Sequence, residues 1–194
     1  MTRTRMSADE RREQILDVAH DIVDAEGFHA ATPRRIADGA GVTRPVLYQH
    51  FGDLAGLFVA LIDRESARIG EQYARAVADV APESGNDPFV SAFEGALRAV
   101  DEHPAAWRLF LIPPEGAPPA LHERLAESQE QVRAFMEASL REVFPGVPDP
   151  DYLARVVQAT ARELLCLRLI DPERATVERL TGLIRFLRTL TPAP

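Results

Sequence analysis

Lysine is absent from the chain, so all 22 of its basic side chains are arginines. A guanidinium is a rigid, permanently charged fork that suits bidentate contact with phosphate or guanine. The plainer reading of such a skew is a compositional bias of the source genome. Cysteine occurs once, at Cys166, which excludes an internal disulfide and a cysteine-based zinc site. Long apolar runs are missing too: Leu164-Leu165-Cys166-Leu167 is cut short by Arg168. The N-terminal residues Met1 to Glu10 carry basic residues with no apolar stretch behind them. No signal peptide or membrane anchor is read there, and a cytoplasmic protein is the expectation.

Signs of catalysis are equally sparse. The five histidines, His20, His29, His50, His103 and His122, show no metal-ligand spacing. No glycine-rich phosphate loop occurs. Arg162, Glu163 and Cys166 share a helical stretch, but no histidine lies within a turn of the thiol, and its neighbours read as packing. His103 precedes Pro104 at a helix boundary and reads as a cap rather than a base. The expectation is a chain that is not an enzyme and holds no metal or cofactor.

The informative segment is Thr32 to Phe51, two short helices around a tight turn. Thr32 is placed to cap the first, with Pro33 at the position where a missing N–H costs nothing. Ile36, Ala37 and Ala40 form a small apolar face, and Gly41 falls where a helix end needs a left-handed residue. Thr43 is placed to cap a second helix, Arg44 to His50, with Val46 and Leu47 apolar. That order is the helix-turn-helix pattern, whose second helix enters the DNA major groove. Upstream, Ile15, Leu16, Ala19, Ile22 and Val23 form the stripe of an amphipathic helix over Asp9 to Glu26, closed by Gly27. Phe28 and the second helix are positioned to bury that stripe, making a three-helix head. Downstream, Asp53 reads as the cap of a helix bearing Leu57, Phe58, Leu61 and Ile62.

Over roughly residues 10–62 the chain resembles the tetracycline-repressor-like (TetR) family of bacterial regulators. The resemblance is carried by Ile15-Leu16-x-x-Ala19, Gly27-Phe28, Thr32, Ile36-Ala37, Ala40-Gly41-Val42-Thr43 and Leu47-Tyr48-x-His50-Phe51. It implies that Thr32 and Arg34 meet phosphates, and that Thr43, Arg44, Tyr48 and His50 meet phosphates and base edges. Pro45 in the first turn is tolerated and shifts base reading onto Arg44, Val46 and Gln49. Leu47 and Phe51 are expected in the core. One departure stands out. Family members commonly place a lysine three or four residues after the final Phe, whereas this chain reads Gly52-Asp53-Leu54. One expected phosphate contact is thereby lost.

Charge is not a clear guide. The net charge of −8 averages over surfaces that never meet DNA. Residues 1–51 contain seven arginines (3, 5, 11, 12, 34, 35 and 44) against eight acids, so the head is near neutral. The acids lie mainly on the first helix. Arg3, Arg5, Arg34, Arg35 and Arg44 lie on the arm and the helix-turn-helix, leaving a modest basic face.

Past the head the pattern is helical throughout, predicting an all-α chain with an N-terminal helix-turn-helix domain (1–52) and a larger helical ligand-binding and dimerisation body (53–194). Helices are expected over about 53–81, 87–103, 104–111, 120–144, 151–170 and 173–190, separated by proline-rich breaks at 82–88, 113–119 and 145–150. Phe89, Phe93, Trp107, Phe110, Phe135 and Met136 recur at helical spacing, which usually means core. The family resemblance implies an apolar ligand pocket in the body, and Phe93, Trp107, Phe110, Phe135 and Met136 are the candidates to line it. Arg108 or Arg162 is the candidate polar group, with nothing to choose between them. The last two helices are apolar over more than one stripe, so each has a second face to bury; a self-complementary homodimer contact would do so, and the family implies the same. The reading is a homodimeric repressor that leaves a palindromic operator when a small apolar or amphipathic molecule binds. The rival is a helical ligand-binding or interaction module with weak or lost operator binding.

Overall fold

The computed structural model describes residues 6–78, 87–112 and 116–190. Arg3, Arg5, Val80 and most of the break at 82–88 therefore lie outside the described residues, as do Pro113 to Glu115. Among the described residues the regular structure is entirely helical. The helices are α1 (Ala8–Glu26), α2 (Pro33–Gly39), α3 (Arg44–Phe51), α4 (Leu54–Ala78), α5 (Pro88–Glu102), α6 (Pro104–Leu111), α7 (Pro119–Val143), α8 (Pro150–Ile170) and α9 (Val177–Leu190), with a single 3₁₀ turn at Phe28–Ala30. None is long and apolar enough to cross a membrane on its own.

The local chemistry explains the boundaries. Ser7 and Glu10 form a reciprocal capping box at the start of α1, with hydrogen bonds of 3.1 and 2.7 Å. Gly27 ends α1 at φ 85°. Asp87 accepts hydrogen bonds from the Phe89 and Val90 N–H groups and so caps α5. α9 begins at Val177 rather than at 173, because Asp171 turns the chain first, accepting from the Arg174 and Ala175 N–H groups. Thr176 then caps the helix by accepting from the Arg179 N–H at 3.3 Å. His103 precedes α6, but its side chain caps nothing.

The chain forms two compact units. The first comprises residues 1–66 and 113–125, and the second residues 67–112 and 126–194, so α4 and α7 each contribute to both. In the first unit Ile15, Leu16, Ala19 and Val23 of α1 are buried together with Phe28, Ile36, Ala37, Leu47, Leu57, Phe58, Leu61 and Ile62. Phe28 meets Phe58 edge-on, with ring centroids 5.0 Å apart. The stripe on α1 is thus buried as its spacing requires, and this fixes α2 and α3 on their support. Gly39 permits the approach of α2, since a Cβ there would stand 2.7 Å from a Val18 methyl. In the second unit α5, α6, α8 and α9 enclose Phe93, Leu97, Val100, Trp107, Leu111, Leu164, Leu165 and Leu180. The division into a DNA-binding part (1–52) and a ligand and dimer part (53–194) is a functional one, which we carry forward as a proposal.

Candidate nucleic-acid interface

α2 ends through the geometry that glycine allows. The Val42 N–H donates to the Ala37 carbonyl at 2.9 Å and the Gly41 N–H to Asp38 at 3.2 Å, with Gly41 at φ 61°. The turn is therefore tight enough to launch α3 within four residues of α2. Thr32 caps α2, its hydroxyl accepting from the Arg35 N–H at 3.3 Å. Thr43 stands at the matching position before α3, but its side chain makes no capping bond. The sequence expectation of a Thr43 side-chain cap is corrected in that respect. The hydroxyl remains exposed beside the first turn of α3, where backbone N–H groups have no intrahelical partner.

Burial sorts the α3 residues cleanly. Leu47 is completely buried and anchors the helix, while Arg44, Pro45, Tyr48 and Gln49 are exposed. Their spacing of i, i+1, i+4 and i+5 makes one continuous outward face opposite the anchor. Val46 and His50 flank it, half-buried. Thr32 and Arg34 are exposed at the start of α2. All nine residues expected at a DNA interface therefore lie on α2, α3 or their caps, and seven of the nine are exposed. Phe51 is half-buried rather than in the core, and the Arg12 guanidinium lies 4.7 Å above its ring. The guanidinium covers one face of the ring and is attracted to it.

The positive charges differ in their availability. Arg35 is paired with Glu26 through two hydrogen bonds of 2.8 and 2.6 Å. Arg34 lies 3.7 Å from Asp38, and both side chains are highly exposed. At the start of α4 the Asp53 carboxylate accepts from the Gly56 N–H at 2.7 Å, so a cap occupies the place where the expected lysine is missing. Gly56 is required there: a Cβ would stand 2.3 Å from the Phe51 carbonyl oxygen.

A second cluster in the same unit escaped sequence reading. Arg64 of α4 donates to Asp17 at 2.7 Å and Glu13 at 3.3 Å on α1, and to its neighbour Glu65 at 2.8 Å. Glu65 is buried, and His20 Nδ1 lies 3.6 Å from its carboxylate. These contacts tie α4 to the back of α1. A signal existed: Glu65 sits four residues after Leu61 and seven after Phe58, on the apolar stripe, where a charge demands a partner.

The residues expected at the ligand site are less coherent. Phe93 and Trp107 are buried in the core of the second unit. Arg162 reaches α6, donating to the Leu111 carbonyl at 2.6 Å, while its Nε and the Trp107 Nε1 are buried without hydrogen-bond partners. Phe110 and Met136 are half-buried, and Phe135 is 57% exposed. An open cleft of ≈380 Å³ in this unit is lined instead by polar residues of α4 and α5, and none of these six takes part in it. On α8 and α9, Leu164, Leu165 and Leu180 face the core, while Val156, Leu167, Ile170, Leu183, Phe186 and Leu187 are exposed. The described residues contain no cluster of His, Cys, Asp and Glu able to hold a metal.

Known proteins resemble the chain both in this segment and in fold. Residues 15–61 match the model of bacterial regulatory proteins of the tetR family. Over 60 residues the chain is 47% identical to the HTH-type transcriptional activator FasR of Mycolicibacterium smegmatis, a match covering 31% of this chain and 27% of FasR. It is 28% identical to an HTH-type transcriptional regulator of Mycobacterium tuberculosis across 98% of this chain and 89% of that one. Its fold is that of a solved Pseudomonas aeruginosa PAO1 protein assigned as a transcriptional regulator, with a TM-score of 0.78 at 18% identity, covering 96% and 93% of the two chains. It also matches NalD, the secondary repressor of the MexAB-OprM efflux pump in Pseudomonas aeruginosa, with a TM-score of 0.65 at 21% identity, covering 90% and 94%.

Proposed function

We propose that this chain, which belongs to the TetR family of bacterial transcriptional regulators, is a homodimeric repressor that leaves a palindromic operator when a small effector binds its body. The observation that carries the DNA half of this reading is the outward face of α3. Arg44, Pro45, Tyr48 and Gln49 stand over the buried anchor Leu47. In this reading Thr32, Arg34 and Thr43 meet phosphates, Arg44, Val46, Tyr48 and Gln49 meet base edges, and His50 flanks them. The unspent Thr43 hydroxyl and the first-turn N–H groups of α3 suit a phosphate oxygen.

Dimerisation through α8 and α9 is supported by their exposed apolar residues. Val156, Leu167 and Ile170 on α8 and Leu183, Phe186 and Leu187 on α9 are large apolar residues left exposed, as at a surface that meets a partner. A two-fold contact would cover it and fix two heads at a separation suited to half-sites one helical turn, about 34–36 Å, apart or a multiple of that.

For the effector, Phe93, Trp107, Phe110, Phe135, Met136 and Arg162 remain the proposed lining. The support is the pair of buried, unpartnered donors, Trp107 Nε1 and Arg162 Nε, which an acceptor on an otherwise apolar ligand would satisfy. Such a ligand must bind the DNA-free state better than the DNA-bound one. Operator DNA must then weaken ligand binding by the same factor. Trp107 is the only tryptophan, so its fluorescence reports occupancy directly.

A second reading is a ligand-binding module with weak operator affinity. It is favoured by two observations: Arg35 is held by Glu26, and Asp53 caps α4 where a lysine is expected. An electrophoretic shift of the full chain on the DNA upstream of its own gene separates the two. A discrete, competitor-resistant complex supports the repressor, and salt-sensitive smearing without a discrete complex supports the module.

A further inference from the structure

The polar cleft of the second unit is built by helical register. From α4 it takes Arg68 and Gln72, four residues apart on one face; from α5 it takes Gly95, Arg98 and Ala99. Gly95 and Ala99 are buried and nearly without side chain, so α5 leaves open volume where bulkier residues would have filled it. Its ≈380 Å³ falls within the range usual for small-molecule sites.

Its chemistry is selective. Three guanidiniums, of Arg68, Arg75 and Arg98, outnumber the two carboxylates of Glu71 and Glu102 in the lining, and Glu71 is already paired with Arg75 at 3.1 Å. Arg98 spends only its Nε, on the Glu94 carbonyl at 3.5 Å, which leaves its terminal nitrogens for a ligand. Gln72 Oε1 is buried in the wall with no hydrogen-bond partner. An acceptor stranded in this way is costly unless a donor reaches it. The cleft thus asks for a ligand that carries both a negative charge and a hydroxyl or N–H.

We propose that this cleft binds a small hydroxylated anion, its phosphate or carboxylate group held by Arg98 and one hydroxyl donating to Gln72 Oε1. The site shares no residue with the effector lining proposed above, so it stands apart from that reading. A molecule of hexose size fits the volume, and an apolar molecule would leave Gln72 Oε1 and the terminal nitrogens of Arg98 unsatisfied.

The test is calorimetric titration of the full chain, without DNA, with glucose 6-phosphate, gluconate, glucose and inorganic phosphate. Saturable millimolar or tighter binding of glucose 6-phosphate or gluconate is expected, with glucose and inorganic phosphate weaker by about tenfold or more. Whichever of the first two binds identifies the anionic group as phosphate or carboxylate. Arg98→Ala, at an exposed position, should weaken that binding by about tenfold or more. Gln72→Leu should weaken the hydroxylated anion while leaving inorganic phosphate unchanged. Failure of both hydroxylated anions to bind overturns the proposal, as does binding that Arg98→Ala leaves intact. Because no DNA is present, either failure leaves the regulator reading standing.

Discussion

Arg35, in the first turn of α2, is gripped by Glu26, at the last turn of α1, through both terminal nitrogens at 2.8 and 2.6 Å. The hydrogen bonds from Arg35 hold the Glu26 carboxyl below its usual range, and the Arg35 pKa is raised in turn. One of the few positive charges of the head is therefore committed within the protein. Glu26→Gln should release it. Titration of operator DNA against salt should then show tighter binding and a log–log slope steeper by up to about 0.9, the value of one added phosphate contact. An unchanged slope would mean that Arg35 does not reach the backbone even when freed.

The first turn of α4 offers the complementary test. Leu54 is half-buried and follows Asp53, the cap that stands where a cation is expected. Leu54→Lys keeps an aliphatic stem to cover the surface that Leu54 covers and adds an ammonium. The expected outcome is stronger binding at low salt and a slope again steeper by about 0.9. Retained folding with an unchanged slope would show that this turn does not approach the duplex.

Stability of the second unit should depend on Asp87. Burial pushes its carboxyl pKa up, but the hydrogen bond from Arg188 and those from the Phe89 and Val90 N–H groups outweigh burial and hold it below the usual value. Arg188 also covers the stacked rings of Phe89 and Phe144, so its ion pair with Asp87 joins the α5 cap to the ring stack. A carboxyl with a depressed folded pKa stabilises fully above its unfolded pKa, and that stability is lost as pH falls through the folded value. Asp87→Asn keeps a capping oxygen but removes the charge that pairs with Arg188, and should cost about 0.2–1 kcal/mol at neutral pH. The gap from the parent should narrow in denaturant melts once pH drops below the ordinary Asp range. A gap independent of pH would mean that the charge contributes nothing.

Dimerisation is better probed by substitution than by deletion. Leu180 and Ala175 are buried in the core of the second unit, so removing the C-terminal segment would damage the fold itself. Leu183 and Phe186 are 42% and 59% exposed, and their replacement by Glu touches only the outer face. Leu183→Glu with Phe186→Glu should give a folded monomer in sedimentation and a loss of operator affinity. A doubly substituted chain that stays dimeric would place the contact elsewhere.

Much of this was legible in the residues. Helix ends followed Gly27, Gly41 and the prolines, and the stripe on α1 named its own core, because both signals are local. Thr43 fits a cap by type, but its side chain makes no capping bond, which residue type alone does not reveal. The start of α9 was misplaced because Asp171 and Thr176 together build a turn that periodicity does not register. The Arg35–Glu26 and Arg64–Glu13–Asp17 contacts join residues on different helices, and charge alone never says which partner wins. The polar cleft was invisible because it is lined by the small residues Gly95 and Ala99 of α5 together with Gln72 of α4, a juxtaposition of two helices that periodicity does not register.

The central claim rests on the outward face of α3. Its most direct test is an electrophoretic shift of parent, Arg44→Ala and Tyr48→Ala on the DNA upstream of the chain's own gene, with circular dichroism confirming each fold. Both side chains are exposed, so truncation should leave stability nearly unchanged. The parent should give a discrete complex, and each base contact removed should cost about 1–3 kcal/mol and relax sequence preference. Variants that bind the same DNA as tightly and as selectively as the parent would contradict that claim.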